Sequence, residues 1–206
     1  MAGILYVISA PSGTGKTSLV DALLQSVPNL QFSVSYTTRA KRAQEVHGKH
    51  YYFVSQTQFD EMVERGDFFE YATVFGNGYG TSKAVVQELM SDGHDVVLEI
   101  DWQGAQRVRE LMKEECVSIF ILPPSKEILK KRIVDRGQDH LEIIQRRLSE
   151  AELEMQHYKE FDYLVVNDFF EEAVHQLQSI IYAERCRLSR QEQQLASLIK
   201  SLQGCL

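Results

Sequence analysis

The chain has 206 residues, of which 44% are hydrophobic and 25% charged, with only 12 glycines and 4 prolines. This composition excludes collagen-like, low-complexity and disulfide-scaffold proteins and predicts one globular domain. The net charge of -7 argues against non-specific nucleic-acid binding, because nucleic-acid phosphates would repel the chain as a whole. Any anion that the protein binds must therefore meet a local basic site.

The apolar runs are too short to cross a membrane. The longest, at 4–8 and 119–122, are strand-sized, whereas a spanning helix needs about 20 apolar residues. No basic segment precedes the first run, so a signal peptide is not expected. The 3 cysteines are an odd number without C-x-x-C spacing, which predicts free thiols. We expect a cytoplasmic protein without a membrane or nucleic-acid partner.

Strand and helix patterns alternate in the first half of the chain. Ser55 and Gln58 have the spacing of a capping box, and Gly66 can end the helix that they open. The glycines of 76–80 favour positive φ and predict a turn. The predicted order is strand 4–8, helix 16–26, strands 32–37 and 51–54, a short helix from 55, strand 68–75 and the turn at 76–80.

The second half continues the alternation and sets the fold class. The runs at 96–98 and 117–122 are continuously apolar, as in parallel strands covered on both faces. Helices are predicted at 82–91, 103–113, 125–136 and 141–158, with Gly137-Gln138-Asp139 between the last two, then strand 163–166 and C-terminal helix. Such alternation predicts an α/β fold with a central parallel sheet. The polar helical tail after 187 is a candidate for homo-oligomer contacts.

A glycine-rich loop separates the first strand from the first helix. Its glycines let backbone N–H groups surround an anion, and the helix N-terminus adds partial positive charge. Lys16 would bind the β- and γ-phosphates and Thr17 would offer its hydroxyl to Mg²⁺. The first position departs from the G-x-x-x-x-G-K-[ST] pattern, which costs little if it does not need positive φ. The loop reads Ala10, Pro11, Ser12, Gly13, Thr14, Gly15, Lys16, Thr17.

Two groups of arginines accompany this predicted nucleoside triphosphate site. Arg39 and Arg42 follow the second predicted strand, and Arg132, Arg136 and Arg147 lie on two later helices. Guanidinium groups bind phosphates bidentately, and phosphoryl transfer between two nucleotides needs cations around both donor and acceptor. The combination favours a small kinase.

A GTP-hydrolysing switch is the competing interpretation. Asp101-Trp102-Gln103-Gly104 fits its D-x-x-G pattern, but no N-K-x-D sequence follows to recognise guanine. The GTPase interpretation therefore lacks its element of base specificity.

A further set of residues comprises the run 33–39, Arg42, Gly48, Tyr51, Glu70, the run 76–81, and Asp101 with Gln103-Gly104. Through this set the chain resembles the guanylate kinase family, over residues 3–185. The resemblance implies a three-layer P-loop α/β fold with a core of 1–31, 84–124 and 159–185, a GMP-binding flap at 32–83, a helical lid at 125–158 and a helical tail at 186–206. It also implies the reaction ATP + GMP = ADP + GDP with Mg²⁺, in purine metabolism and GMP recycling, and dGMP as a further substrate.

The resemblance also implies a role for each site residue. Chemistry agrees, because carboxylates accept from guanine N1–H and the 2-amino group, hydroxyls can serve O6, and adenine would leave these groups unpaired. Arg39, Arg42, Tyr51 and Tyr79 would hold the GMP phosphate, and Ser35, Glu70, Thr81 and Asp101 would surround guanine. Lys16, Arg39 and the lid arginines Arg132, Arg136 and Arg147 would be catalytic, with Asn167 on the adenine side.

Simpler interpretations exist for single positions. Asp101 or Asn167 could cap a helix, and Tyr51 or Tyr79 could be ordinary core aromatics. Glu99 stands where many family members carry Asp, so we expect it to orient Mg²⁺ through water without binding the ion directly. Two other functions stay open: a non-catalytic guanylate-kinase-like scaffold domain, and a kinase for another nucleoside monophosphate.

Overall fold

The computed structural model describes residues 3–74, 76–136 and 141–204, so the predicted junction at 137–139 lies outside the described residues. The strands and α-helices, in chain order, are β1 (Leu5–Ser9), α1 (Lys16–Ser26), β2 (Leu30–Phe32), β3 (Tyr36–Thr37), β4 (Tyr52–Phe53), α2 (Gln56–Glu64), β5 (Phe68–Val74), β6 (Asn77–Ser82), α3 (Lys83–Ser91), β7 (Asp95–Glu99), α4 (Trp102–Met112), β8 (Cys116–Leu122), α5 (Lys126–Arg136), α6 (Leu141–Met155), β9 (Tyr163–Val166), α7 (Phe170–Arg185), α8 (Leu188–Gln194) and α9 (Ala196–Gln203).

A five-stranded sheet in the order β2-β7-β1-β8-β9 forms the centre, and each neighbouring pair is parallel. β1 is buried along its whole length because helices cover both faces of the sheet. One face packs on α1 and α7 through residues such as Leu19 and Leu177, and the other packs on α3 and α4 through Val86 and Val108. The predicted α/β fold with a central parallel sheet is confirmed.

A second, four-stranded sheet in the order β4-β3-β6-β5 lies beside the first. Its β3–β4 pair is parallel and its other pairs are antiparallel. The predicted capping box opens α2, since Ser55 Oγ accepts from the Gln58 N–H and the Gln58 side chain accepts from the Ser55 N–H. Phe59 of α2 packs on Phe68 of β5 with ring centroids 4.9 Å apart, which fixes the helix on this sheet.

Two predictions in this region are wrong. The single strand at 32–37 is two strands, because Phe32 pairs with β7 in the central sheet whereas Tyr36 pairs with β4 and β6. The turn at 76–80 is mostly strand β6, and only Gly76 of these glycines has positive φ. Gly78 and Gly80 instead permit close packing, since a Cβ there would come within 2.8 Å of Phe59 and 2.9 Å of Phe68.

Helices α5 and α6 form a pair with its own apolar cluster, which includes Leu129, Ile133, Ile144 and Ala151. The predicted helix at 141–158 ends earlier as an α-helix, at Met155, and continues as a 3-10 helix over Gln156–Glu160. In the tail, α9 buries none of its described side chains. No helix within the described ranges is long and apolar enough to span a membrane.

Candidate active site

The glycine-rich loop connects β1 to α1 at the carboxyl edge of the central sheet. Gly13 and Gly15 have φ of 88° and 93°, which only glycine adopts readily. Ala10 is absent from the positive-φ residues of the described chain, which explains why alanine is accepted there. The Thr14 hydroxyl donates to Pro11 O at 2.8 Å, so this side chain stabilises the loop itself.

Two predicted site residues brace the loop from outside. Asn167 is buried, and its Nδ2 donates to Thr14 O at 2.7 Å. Arg132 of α5 donates to Thr14 O at 3.3 Å and to Asn167 O at 3.1 Å. The Asn167 side chain thus contacts the loop rather than capping α7, whose N-cap residue, Phe169, makes no side-chain cap.

Lys16 and Thr17 begin α1 and contact the end of the neighbouring strand. Lys16 Nζ donates to Ile100 O at 3.0 Å. Burial lowers the pKa of Lys16, and the negative charges of Glu99 and Asp101 oppose that shift. Thr17 Oγ1 donates to Glu99 Oε1 at 2.6 Å, a direct contact that the sequence did not predict.

A carboxylate from α6 also reaches the loop. Burial raises the pKa of Glu154, and the nearby Lys16 charge and Ser12 backbone N–H oppose this, so the carboxylate lies close to the start of α1 and to the loop. Glu154 was not predicted from the sequence, because nothing in its local sequence distinguishes it from the other glutamates of α6. The hydrogen bond from Arg132 to Thr14 O likewise shows that the α5–α6 pair lies against the loop.

A cleft of about 180 Å³ lies next to the loop at the same edge of the sheet. It contains five of the eight residues predicted to bind GMP, namely Ser35, Tyr51, Glu70, Tyr79 and Asp101. Ala72, Gly80, Glu99 and Ile100 complete its lining. We call it the small cleft.

Glu70 and Asp101 are the carboxylates that the sequence assigned to base recognition. Glu70 Oε1 accepts from the Thr81 hydroxyl at 2.6 Å, and burial raises the pKa of Glu70. Asp101 Oδ1 accepts from the Gly104 N–H at 2.7 Å, so the helix-cap interpretation of Asp101 is confirmed, whereas its contact with guanine stays a prediction. A Cβ at Gly104 would lie 3.0 Å from Glu70 Oε2, so the first turn of α4 packs directly on Glu70.

Comparison with known proteins decides the family. The family profile described as Guanylate kinase matches residues 3–184. The chain is 54% identical to a guanylate kinase of Alkalilimnicola ehrlichii over 99% of this chain and 100% of that protein, and 52% identical to one of Escherichia coli K12 over 97% of each. The chain belongs to the guanylate kinase family. Its members are kinases, so this protein is an enzyme that transfers phosphoryl groups and binds nucleotides.

Solved structures agree with this family membership. A crystal structure of guanylate kinase from Anaplasma phagocytophilum has a TM-score of 0.76 and 38% identity, covering 92% of this chain and 89% of that one. The SH3-kinase fragment of tight junction protein 3 has a TM-score of 0.51 but only 11% identity, covering 90% of this chain and 59% of that fragment. The second likeness concerns the fold alone.

The arginines of this guanylate kinase family member differ in their surroundings. Arg39 pairs with Glu45 through N···O distances of 2.6 and 3.1 Å, and its guanidinium lies 5.6 Å from the centre of the Tyr51 ring. The Glu45 pair raises the pKa of Arg39, and Arg39 lowers the pKa of Glu45 to about 2. Glu45 was not predicted from the sequence. The only feature that could have pointed to it is its position between the arginines and Tyr51.

Of the predicted arginines whose side chains the structure describes, Arg39 included, none is among the residues that line the small cleft. Arg42 is exposed, and its backbone N–H donates to Glu45 Oε2 at 2.8 Å. Arg147 is partly buried on α6. Arg136 ends α5, and its side chain lies outside the described part of the structure.

A larger cavity of about 1200 Å³ opens at the opposite edge of the central sheet. It contains none of the predicted site residues, and several of its charged groups pair with one another. Arg185 lies 2.8 Å from Asp95, and Arg187 lies 3.0 Å from Glu184. Parallel sheets bind ligands beside the loops that follow the carboxyl ends of their strands, which is the edge that carries the glycine-rich loop and the small cleft.

Proposed function

We propose that this protein transfers the terminal phosphoryl group of ATP to GMP, which yields ADP and GDP. One observation carries the proposal: the loop and the small cleft adjoin through Lys16, whose ammonium group contacts Ile100 O directly before Asp101 of the cleft. A triphosphate on the loop and a monophosphate in the cleft would therefore meet beside Lys16.

The loop would hold the ATP phosphates mainly through its backbone. Residues 10–17 lead into the N-terminus of α1, whose free N–H groups and dipole favour an anion. The Lys16 ammonium would leave Ile100 O and follow the transferring group. Asn167 stays a predicted ATP-binding residue, supported by its contact with Thr14 of the loop.

Glu70 and Asp101 would read guanine. Their carboxylates can accept from N1–H and the 2-amino group, whereas adenine offers no such pair of donors. An unpaired buried group costs about 1–3 kcal/mol, which favours GMP over AMP. The Ser35 hydroxyl can donate to O6. The single proton of Thr81 already serves Glu70, so we propose that Thr81 orients this carboxylate rather than donating to the base.

The GMP phosphate would lie among Arg39, Arg42, Tyr51 and Tyr79. The Arg39 guanidinium lies beside the Tyr51 ring, and Tyr51 and Tyr79 contact each other with centroids 5.9 Å apart. This arrangement keeps the Arg39 guanidinium, which is paired with Glu45, and two tyrosine hydroxyl groups near one end of the small cleft. Arg42 extends from the same loop and can approach the phosphate from solvent.

The α5–α6 pair is proposed to act as a lid that carries Arg132, Arg136 and Arg147. Its closure would exclude water as a competing acceptor and add positive charge around the transferring phosphoryl group. Phosphoryl transfer of this kind needs no covalent nucleophile, since positioning and charge stabilisation lower the barrier. Lys16 and the arginines would supply that charge.

Mg²⁺ fits the residues at the loop. Thr17 donates its proton to Glu99, which leaves hydroxyl lone pairs for a hard cation. Among the residues that the structure describes, no group of three or more His, Cys, Asp or Glu side chains forms a metal site, and we propose that phosphates and water supply the other ligands. Bound Mg²⁺ would neutralise charge on the β- and γ-phosphates.

The Glu99–Thr17 contact can be tested directly. Glu99→Gln should raise the Mg²⁺ concentration for half-maximal activity several-fold while the KM for GMP stays unchanged. An unchanged Mg²⁺ dependence would remove Glu99 from this role.

The physiological setting follows from the reaction. GDP formation from GMP belongs to purine nucleotide metabolism and GMP recycling, and dGMP shares the base and phosphate that the cleft would bind. A cytoplasmic location and homo-oligomer formation stay predictions from the sequence.

A coupled assay of ADP release with ATP and Mg²⁺ tests the proposed function. GMP, dGMP, AMP, CMP and UMP serve as acceptors beside a control without acceptor. We expect fast turnover with GMP and dGMP only. Equal ADP release without an acceptor would indicate a hydrolase or switch, and the absence of ADP despite nucleotide binding would favour a scaffold domain.

A further inference from the structure

The only tryptophan in the chain, Trp102, stacks face to face on His157. The ring centroids are 3.4 Å apart and the ring planes differ by 9°. Trp102 is the first residue of α4, whereas His157 lies in the 3-10 helix Gln156–Glu160 that follows α6. The stack therefore joins the helix beside the small cleft to the end of the α5–α6 pair. Neither ring lines the small cleft.

On the cleft side, Trp102 is tied to the two proposed base-reading carboxylates. It directly follows Asp101, whose carboxylate caps α4. Gly104, two residues further on, packs against Glu70 so closely that a Cβ would come within 3.0 Å of Oε2. Glu70 and Asp101 therefore both contact the first turn of α4, which carries the indole ring.

On the loop side, His157 is tied to the position of α6. The α5–α6 pair shares one apolar cluster and contacts the loop through Arg132, which donates to Thr14 O at 3.3 Å. Glu154, one helical turn before His157, lies close enough to Lys16 for that charge to affect its pKa. His157 Nδ1 lies 2.6 Å from Glu160 Oε1, which limits rotation of the imidazole. A movement of α6 away from the loop would therefore shift the imidazole relative to the indole.

We infer that Trp102 and His157 are positioning residues that couple occupation of the small cleft by a purine monophosphate to the docking of the α5–α6 pair on the loop. The inference rests on the proposed function, because it takes the two sites to hold the two substrates. Coupling between sites is reciprocal, so each ligand should tighten binding of the other. A stacked aromatic pair can supply about 2- to 10-fold of such coupling.

Calorimetry of GMP binding, with and without a non-hydrolysable ATP analogue, measures the coupling. We expect Trp102→Ala and His157→Ala to reduce the coupling factor about 2- to 10-fold, while each ligand alone binds with native affinity. Trp102→Phe and His157→Phe retain an aromatic face and should keep the coupling. His94→Ala is the matched control, since His94 contacts Asn29 at 2.7 Å, far from α6 in the fold.

Fluorescence of the lone tryptophan reports the stack independently of activity. A histidine ring in contact with indole quenches its emission, so His157→Ala should brighten the protein and His94→Ala should not. Adding GMP with the ATP analogue should change the native emission, and His157→Ala should lose this response. A merely structural contact would give the brightening without the loss of coupling.

The outcomes separate this inference from the proposed function. If the native protein turns over GMP but both alanine variants keep the native coupling factor, the inference is wrong and the proposed function stands. Equal emission from native protein and His157→Ala would also overturn it. If the native protein does not turn over GMP, the proposed function fails in the assay of ADP release, whatever the emission shows.

Discussion

The glycine-rich loop and the small cleft, which we propose as the two substrate sites, differ in the groups that they offer to a charged ligand. The loop offers backbone N–H groups, and its shape depends on positive φ at Gly13 and Gly15. The cleft offers side chains from separate segments, such as Glu70 and Asp101, held in place by partners outside the ligand site. A backbone site binds any phosphate chain, whereas a side-chain site can discriminate between bases.

The electrostatics of the two sites differ as well. At the loop, the Lys16 cation is surrounded by the carboxylates of Glu99, Asp101 and Glu154, which oppose the effect of burial on its pKa. In the cleft, Glu70 is buried near Asp101 with only a hydroxyl partner and the more distant Arg107 charge to offset burial, and its pKa is raised. The carboxylates near the loop therefore favour the charged form of Lys16, whereas the buried carboxylate of the cleft needs hydrogen-bond donors.

Lys16→Ala should produce the largest effect, because it removes the one loop side chain that would follow the transferring phosphoryl group. We expect kcat to fall about 100- to 1000-fold, the usual loss on removing one preorganised charge-stabilising group. Rapid-quench or coupled kinetics measure it, with circular dichroism as a check of folding. A folded variant with a kcat near the native value would contradict the role of Lys16.

Glu70→Gln and Asp101→Asn should have the next largest effect, and it should appear in GMP binding at the cleft but not in ATP binding at the loop. Each change replaces an acceptor by a donor-bearing amide, so we expect the KM for GMP to rise about 10-fold or more while the KM for ATP stays near native. Glu64→Gln, an exposed glutamate on α2, is the matched control. Native GMP kinetics in both cleft variants would rule out base recognition by these carboxylates.

The same contrast explains what could be predicted from the sequence. The loop is contiguous and bounded by a strand and a helix, and the helix was predicted with its observed bounds, Lys16–Ser26. The cleft residues were recognisable only as a set that resembles a family. Their actual partners, such as Glu45 for Arg39, join segments whose proximity depends on tertiary packing. The turn predicted at 76–80 failed because Gly78 permits packing on Phe59 rather than positive φ.

Gly13→Ala should disturb the loop through two effects, the strain of an alanine at positive φ and a steric clash with α5. Gly13 has φ of 88°, and an added Cβ would lie 2.7 Å from Cγ1 of Ile133 on α5. Gly66→Ala is the matched control, with φ of 71° and nothing within 4 Å of the added atom. We expect both variants to lose thermal stability, but only Gly13→Ala to raise the KM for ATP, by about 3- to 10-fold. Equal KM values for ATP in the two variants would show that the contact with α5 does not affect the loop.

The smallest expected effect is on stability. Glu70→Gln should raise the KM for GMP, yet it should stabilise the folded protein at pH 7. Burial raises the pKa of Glu70 in the folded protein, so folding favours the neutral form. The stabilising contribution of that form is fully present below the unfolded pKa of about 4.3 and is lost as the pH rises through the raised folded value. At pH 7 the buried, ionised carboxylate therefore destabilises the folded protein. Glu70→Gln avoids this cost, and the glutamine oxygen can still accept from the Thr81 hydroxyl.

Thermal unfolding of the native protein and Glu70→Gln across acidic to neutral pH measures this cost. We expect the variant to have the higher Tm at pH 7 and the difference to shrink as the pH falls towards 4, whereas Glu64→Gln should show no such trend. An equal or lower Tm at pH 7 would mean that Glu70 is as well stabilised when ionised as when neutral. A higher Tm together with a higher KM for GMP would show that the cleft keeps a destabilising charge because base recognition requires it.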